Sequence, residues 1–466
     1  MPKLTVYITN YNYGRYIRQA IESVLHQGFQ DFQLLIIDDG SSDNSKEIIE
    51  DYADHPQIDV IYQQNKGLNI TNNIALRLAK GKYIMRLDAD DYLLEGALEK
   101  MIKQLEQDDS LGMIFPDYYL VDKHNNTTAE IKRHDFDKEV GLFDLPAHGA
   151  CTMIRVDFLK SVGGYDESYS CQDGYELWIK FIARFKVVNI KEPLFCYRQH
   201  GENLTSNENR ILNTRRTIKD DFILKNDIAR AATIAIIPVR DTRLKNESLA
   251  FIKLEDWHLL DIKIHAALGS SLLKKVVVTS DDQTTKRYIE DRYKAEDRVV
   301  FIERPSEMAR YNVSLNETIE HVLQHPSLNS IGVEAFMILA LEFPFLKAQD
   351  IDHAINSLAI FKADSLLSVR IERSTLYQHH GSGMVSILEQ DKFTKLEREA
   401  LYKGVGGVML CTVNSYFQEK KLLAGKVGHV VVDELAAHGV FSQFDLEVAR
   451  ALAKENLPSK VMVNQS

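Results

Sequence analysis

The sequence predicts an α/β protein made of two Rossmann-like domains, and three observations carry that prediction. Apolar segments of strand length alternate with amphipathic helical segments through residues 4–91, and the same alternation restarts near residue 230. A charged, helix-patterned stretch without Gly or Pro, residues 207–232, separates the two runs. The length of 466 residues also exceeds one ordinary core, at roughly 100–200 residues per domain.

In the first run the strands read "LTVYIT" (4–9), "FQLLIIDDGS" (32–41), "IDVIYQ" (58–63) and "KYIMRLDADD" (82–91), with helices at about 15–27, 44–53 and 69–79. Near-continuous apolar strands between helices imply a parallel sheet covered on both faces. Ligands of such sheets lie beyond the carboxyl ends of the strands. "TNYN" (9–12), "DDGSSD" (38–43) and "DADD" (88–91) all fall there, so three polar clusters share one crevice. In the second run "TIAIIPV" (233–239) leads to a helix ending near 268, then "KKVVVTSDD" (274–282), a helix to about 294, "RVVFIE" (298–303), a helix at about 314–324 and "AFMILALEF" (335–343).

A hydrophobic share of 45% with 26% charge is that of a globular chain. The net charge of -11 leaves no global cationic surface, which excludes nucleic acid as a partner. Cys151, Cys171, Cys196 and Cys411 lack CxxC spacing and read as reduced thiols. No apolar run approaches 18 residues and the N-terminus lacks a signal-peptide plan. A cytoplasmic chain without a transmembrane segment, at most peripheral to the inner face of the membrane, is expected.

Asp88 and Asp90, one residue apart at a strand end, can share a hard divalent cation and a diphosphate. An acidic surface turn would look the same, and Ser42 or Asp43 would equally serve as a plain helix cap. Asp39 is left unexplained by a cap. Together "VYITNYNYGRYIRQAIESVLHQGFQDFQLLIIDDGSSDNS", Asn65-Lys66-Gly67, "GKYIMRLDADDYL" and "GGYDESYSCQDGYELWIKF" resemble, in order over residues 1 to about 205, the family 2 glycosyltransferases with the GT-A fold.

That resemblance implies an inverting, metal-dependent enzyme that moves a sugar from a nucleotide-sugar donor, UDP favoured, to a cell-surface glycan or glycoprotein acceptor. It implies that Thr9 and Tyr11 hold base and ribose, that Asp39 accepts from the base ring, and that Asp88 contacts ribose or metal-bound water. Asp90 falls where the family ligates Mn²⁺ or Mg²⁺ on the donor diphosphate, and His200, in "CYRQHGENLTS", matches a His often ligating the same cation. Asp173, in "CQDGYEL", takes the place of the general base in the family's Glu-Asp pair, with Gln172 replacing the Glu. Tyr175 and Trp178 are candidates for stacking on an acceptor sugar, with core packing the alternative for Trp178. Thr71-Asn72-Asn73 stand where the family often has Ala-Arg-Asn, which removes a cationic contact to donor phosphate.

The second run resembles sugar nucleotidyltransferases, nearest the cytidylyltransferases of 2-keto-3-deoxy and sialic-type acids, through "IIPVRDTRLKN" (236–246), "KKVVVTSDDQTTKRYI", "ILALEFPFLKAQDIDHAI", "GVGGVMLCTVNSYF" and "FDLEVARALA". The family loop cradles a triphosphate with Gly and Ser amides. Here Arg240, Arg243 and Lys245 keep the charge without any glycine, Glu342 is the lone acidic residue of "LALEFPFLK", and Gly439 and Phe441 replace an Asp-x-Asp. The Asp281-Asp282 pair reads as a helix N-terminus. The expected plan is a glycosyltransferase domain (1–206), a connecting helix (207–230) and a degenerate cytidylyltransferase-like domain (231–466) with a vestigial nucleotide site at Arg240, Arg243, Lys245 and Glu342. The second resemblance implies a homodimer through this domain. Two rivals stay open: a bifunctional enzyme whose second half makes a CMP-linked sugar, and a scaffold with both halves silent.

Overall fold

The structure, a computed structural model, describes all residues except 133–148, 170, 201–207, 241, 310–312, 373, 375, 382, 387–400 and 458–466, and omits the side chains of 173, 208, 209, 380, 386 and 401. The chain divides into two compact units, Met1–Ile218 and Lys219–Ser466.

In the first unit β1 (Leu4–Asn10), β2 (Phe32–Asp38), β3 (Ile58–Tyr62) and β4 (Tyr83–Asp88) pair in parallel in the order β3-β2-β1-β4. Helices α1 (Gly14–Leu25), α2 (Ser45–Glu50) and α3 (Leu68–Leu78) connect them. Ile17, Ala20, Ile21 and Val24 of α1 are buried at helical spacing, which packs this helix on the sheet. β2 is buried at every position, as a strand covered on both faces should be.

Beyond β4 come β5 (Tyr92–Leu93), α4 (Ala97–Glu106), β6 (Leu111–Val121), β7 (Thr127–Ile131), β8 (Met153–Arg155), α5 (Val156–Ser161), α6 (Asp173–Ile182) and β9 (Lys186–Arg198). They extend the sheet as β4-β8-β6-β9-β5, with β8 antiparallel to both neighbours and β6 parallel to β9. The strand–helix alternation that predicts a parallel sheet ends at residue 91 and does not extend into this mixed half. Helix α7 spans Glu208–Asn226, and the division between units falls inside it.

The second unit begins with β10 (Thr233–Pro238), followed by β11 (Arg243–Leu244), β12 (Glu247–Ser248), β13 (Lys253–Leu254), β14 (Trp257–His258), α8 (Leu259–Leu268), β15 (Leu273–Ser280), α9 (Gln283–Arg292), β16 (Val299–Glu303), α10 (Ser306–Ala309), α11 (Leu315–Leu323) and β17 (Ala335–Leu339). It ends with α12 (Ala348–Phe361), β18 (Ser365–Glu372), β19 (Tyr377–His380), β20 (Gly383–Ser386), β21 (Leu401–Thr412), α13 (Val413–Glu419), β22 (Val427–Val431) and α14 (Gln443–Asn456). Its main sheet runs β16-β15-β10-β17-β21-β18-β22; β21 is antiparallel to both neighbours and the other pairings are parallel.

Two expectations for this unit change. The helix ending near 268 starts only at Leu259, because two hairpins precede it: Lys245 and Asn246 adopt φ 49° and 66°, and Glu255 φ 51°. Such left-handed pairs close two-residue hairpins and match strand twist. The strand expected through 343 stops at Leu339, and Phe343 lies over Gly406 and Gly407 of β21, 3.4 Å from where a Cβ would stand on either.

Lys263 is fully buried in this unit and donates to the Phe343 carbonyl at 2.7 Å. Burial pushes its ammonium down to about 7, against the opposing pull of Glu342 and Asp350. The unfolded chain holds that proton up to the ordinary value of 10.5, so between about 7 and 10.5 the unfolded state binds more protons and stability rises with pH. Thermal midpoints measured across that window should climb in the native protein, and Lys263→Met should flatten the climb. An equal slope in the variant would assign the titration to another group.

Candidate active site

Strand register sets the site. Thr9 of β1 pairs with Asp88 of β4, and Asn10 with Asp38 of β2, so the polar strand ends lie side by side. The Thr9 hydroxyl donates to Asp88 Oδ1 at 3.3 Å, and Arg86 Nε lies 2.9 Å from the same oxygen. A Cβ at Gly149 would stand 2.3 Å from Arg86 Nη2, so only glycine lets the buried guanidinium lie there. Asp38 accepts from Asn10 Nδ2 at 2.7 Å and from the Ser41 amide at 2.9 Å, which makes it an organiser of its own turn.

Asp39 is 7% exposed. Its Oδ1 accepts from Gln63 Nε2 at 2.7 Å and from the Lys66 amide at 2.8 Å, and its Oδ2 from the Gly67 amide at 2.9 Å. Gly40 at φ 84° lets this turn pack on the next loop, where a Cβ would meet the Asn65 nitrogen at 2.7 Å. A carboxylate has about four acceptor positions, so Asp39 keeps room on Oδ2 for one more donor. Tyr11, at 49%, is one of the most exposed aromatics of the unit.

Asp90 and His200, far apart in sequence, meet with Oδ2 and Nε2 2.9 Å apart, and their side chains are 8% and 6% exposed. The Tyr16 ring stacks on the imidazole at 5.7 Å and Tyr13 meets it edge-on at 5.5 Å. Arg198, at the end of β9, fixes this arrangement: Nε donates to the Asp90 carbonyl at 2.8 Å, Nη1 to Asn125 Oδ1 at 2.7 Å and Nη2 to Gln19 Oε1 at 2.8 Å. Its own amide donates to Asp91 Oδ1 at 2.9 Å. Burial, with the charges of Asp90 and Asp88, holds the Asp91 carboxyl well above the usual range. Arg198 and Asp91 escaped the sequence reading, although an Arg two residues before His200 and a fourth residue in "DADD" were the available signals. Among the described residues no group of three His, Cys, Asp or Glu side chains is arranged around a metal position.

Asp173 is the first residue of α6; its side chain lies outside the described residues. The backbone leading to it is tied to α3: Asn69 Nδ2 donates to the carbonyls of Asp166 and Tyr169 at 2.8 Å each, and Asn73 Nδ2 to the Tyr165 carbonyl at 2.8 Å. Asn72 Oδ1 accepts from the Tyr7 hydroxyl at 3.1 Å, and Thr71 Oγ1 accepts from Gln63 at 3.0 Å. The Thr71-Asn72-Asn73 departure is therefore structural, joining the Asp39 loop to the Asp173 loop. Tyr175 and Trp178 are both 1% exposed, which removes them as acceptor-stacking surfaces.

In the second unit Arg243 and Lys245 lie exposed on the β11–β12 hairpin rather than in a cradling loop. Arg240 Nη2 donates to the Val313 carbonyl at 3.4 Å, and the Glu342 carbonyl accepts from the Val440 amide at 2.7 Å. Asp282 caps α9, accepting from the Thr285 amide at 2.8 Å. At Gly439 a Cβ would fall 2.3 Å from the Phe441 ring, which itself packs edge-on against Phe343 at 5.6 Å.

The mixed α/β sheet and the acidic strand ends of the first unit are consistent with the glycosyltransferase class and its GT-A sheet. A family model, Glycosyl transferase family 2, matches residues 5–163. An uncharacterised glycosyltransferase of Methanocaldococcus jannaschii is 32% identical over 206 residues, covering 42% of this chain and 71% of the relative. The chondroitin synthase of Escherichia coli is 31% identical over 208 residues, 44% of this chain, but the chain spans only 30% of that synthase. The solved structure of S. aureus TarS in complex with UDP aligns over 47% of this chain and 65% of its own, at 16% identity and a TM-score of 0.40. The chain belongs to glycosyltransferase family 2. Among the described residues no helix is long and apolar enough to cross a membrane.

Proposed function

We propose that the first unit transfers a sugar, with inversion, from a nucleoside-diphosphate sugar to a hydroxyl of a glycan or glycoprotein. The observation that carries this reading is the meeting of Asp90 and His200 at 2.9 Å beside the Thr9, Asp39 and Asp88 strand ends. A carboxylate oxygen and an imidazole nitrogen side by side are donors that suit Mn²⁺ or Mg²⁺, so Asp90 and His200 would hold the cation together with the donor diphosphate. When bound, the cation offsets negative charge gathering on the leaving diphosphate.

The protein's own groups do the rest. Asp39 accepts from the base through its remaining Oδ2 position, Thr9 and Asp88 address the ribose, and Tyr11 offers a face to the base. Asp173 takes the proton of the acceptor hydroxyl as its oxygen attacks the anomeric carbon on the side opposite the leaving diphosphate, which inverts that centre. The second unit is read as a nucleotidyltransferase-like unit without cytidylyl transfer, supported by the Gly439 and Phe441 pair where metal-binding carboxylates are expected. Pyrophosphate release from CTP, Mg²⁺ and a panel of keto acids would overturn that reading.

Thermal shift of the whole protein with UDP-, GDP-, dTDP- and CMP-sugars plus Mn²⁺ tests the transfer reading. A ligand at 100 times its Kd stabilises the native state by about 2.7 kcal/mol, so one donor class should raise the midpoint by several degrees. No shift with any donor, and no nucleotide release, would sink it.

A further inference from the structure

The approach to Asp173 carries a cation that the donor chemistry does not use. Gln172 sits in a left-handed conformation at φ 65° as the N-cap of α6, yet its side chain makes no capping hydrogen bond. Its Oε1 instead accepts from Arg215 Nε on α7 at 2.8 Å, and the Arg215 guanidinium lies over the Tyr175 ring at 4.6 Å. One residue back, Cys171 Sγ and Thr214 Oγ1 are 3.2 Å apart, so one turn of α7 lies against residues 171–175 within the first unit. Stacking and one hydrogen bond orient the half-buried guanidinium. Among the described residues neither Nη1 nor Nη2 has a hydrogen-bonding or ionic partner.

A carboxylate at 172, as in the family's Glu-Asp pair, would neutralise this cation, whereas the amide of Gln172 accepts one hydrogen bond and leaves the charge standing. The hydroxyl that Asp173 deprotonates must come within hydrogen-bond reach of that side chain, so groups beside Asp173 meet the acceptor, not the nucleotide. A planar fork with two open N–H edges matches an oxyanion in bidentate fashion. We propose that Arg215, presented by Gln172, binds an anionic group of the acceptor, a carboxylate or a phosphate near the hydroxyl that is glycosylated. This rests on the transfer reading above and narrows its acceptor class.

The test compares kcat/KM for matched acceptors with the donor picked by the thermal screen: a uronate-bearing oligosaccharide against its methyl ester, and a phosphate-bearing oligosaccharide against its dephosphorylated form. The native protein should favour one charged member, and which pair shows the preference tells carboxylate from phosphate. Arg215→Gln should lower that charged-to-neutral ratio by about 10- to 100-fold, and Arg215→Lys, which keeps charge but loses the fork, by less. Gln172→Glu should also lower the ratio, because its carboxylate engages the fork, and it carries the test if Arg215→Gln fails to fold. A ratio near one in the native protein, or one unchanged by Arg215→Gln and Gln172→Glu, overturns the proposal while transfer itself stands. Absence of nucleotide release with every acceptor and with water removes the transfer reading, and this inference with it.

Discussion

Asp173→Asn is expected to lower kcat for sugar transfer by about 10²- to 10⁴-fold, the range attached to a positioned general base. Asn keeps the shape of the side chain but cannot take a proton, so donor binding should be spared and donor KM should move by no more than about twofold. Folding should be spared as well. Asp173 is the first residue of α6, where a negative charge near the helix N-terminus contributes only about 0.3–1 kcal/mol. Nucleotide release, measured with acceptor and with water alone, separates the outcomes: transfer should collapse while donor-induced thermal stabilisation persists. A variant that kept a tenth or more of native transfer would remove Asp173 from the base role.

The two halves of this site were unequally legible in the sequence. β1, β2 and β4 are apolar runs ending in polar clusters, and because parallel register is set by burial on both faces, a reader who finds the strands also finds Thr9, Asp39 and Asp88 at one edge. The pairing of Asp90 with His200 was implied by family resemblance alone; nothing local in "CYRQH" says that the end of β9 comes to the Asp90–Asp91 turn after β4. Arg198 explains how it does so. A guanidinium 1% exposed, donating to a carbonyl of one loop and side chains of two other segments, is invisible to periodicity because each partner lies more than 70 residues away. Thr71, Asn72 and Asn73 were legible as a departure and not as a function, since their partners Gln63, Tyr7 and Tyr165 lie on three different segments. In the second unit the same limit shows at Lys245 and Asn246: without glycine the stretch read as a damaged loop, yet both residues adopt the left-handed conformation that a tight hairpin requires.

Asp90→Ala is expected to reduce divalent-dependent transfer by about 10²- to 10³-fold, the loss typical of deleting one group that stabilises developing negative charge. Asp90 is 6% exposed, its backbone is fixed by Arg198 and its carboxylate faces the His200 imidazole, so the site cannot rebuild itself around a missing oxygen. His200→Ala should weaken the same function by less, because a carboxylate supplies the charge that holds a hard cation and an imidazole does not. If both address one ion, the double variant should be no worse than Asp90→Ala alone, a non-additivity that a double-mutant cycle in kcat/KM measures directly. The companion readout needs no turnover: Mn²⁺ should increase the thermal stabilisation given by UDP in the native protein, and that increase should vanish in Asp90→Ala. Additive losses, or a Mn²⁺ increment that survives Asp90→Ala, would mean that Asp90 and His200 form an ordinary buried hydrogen bond and that any cation is held elsewhere.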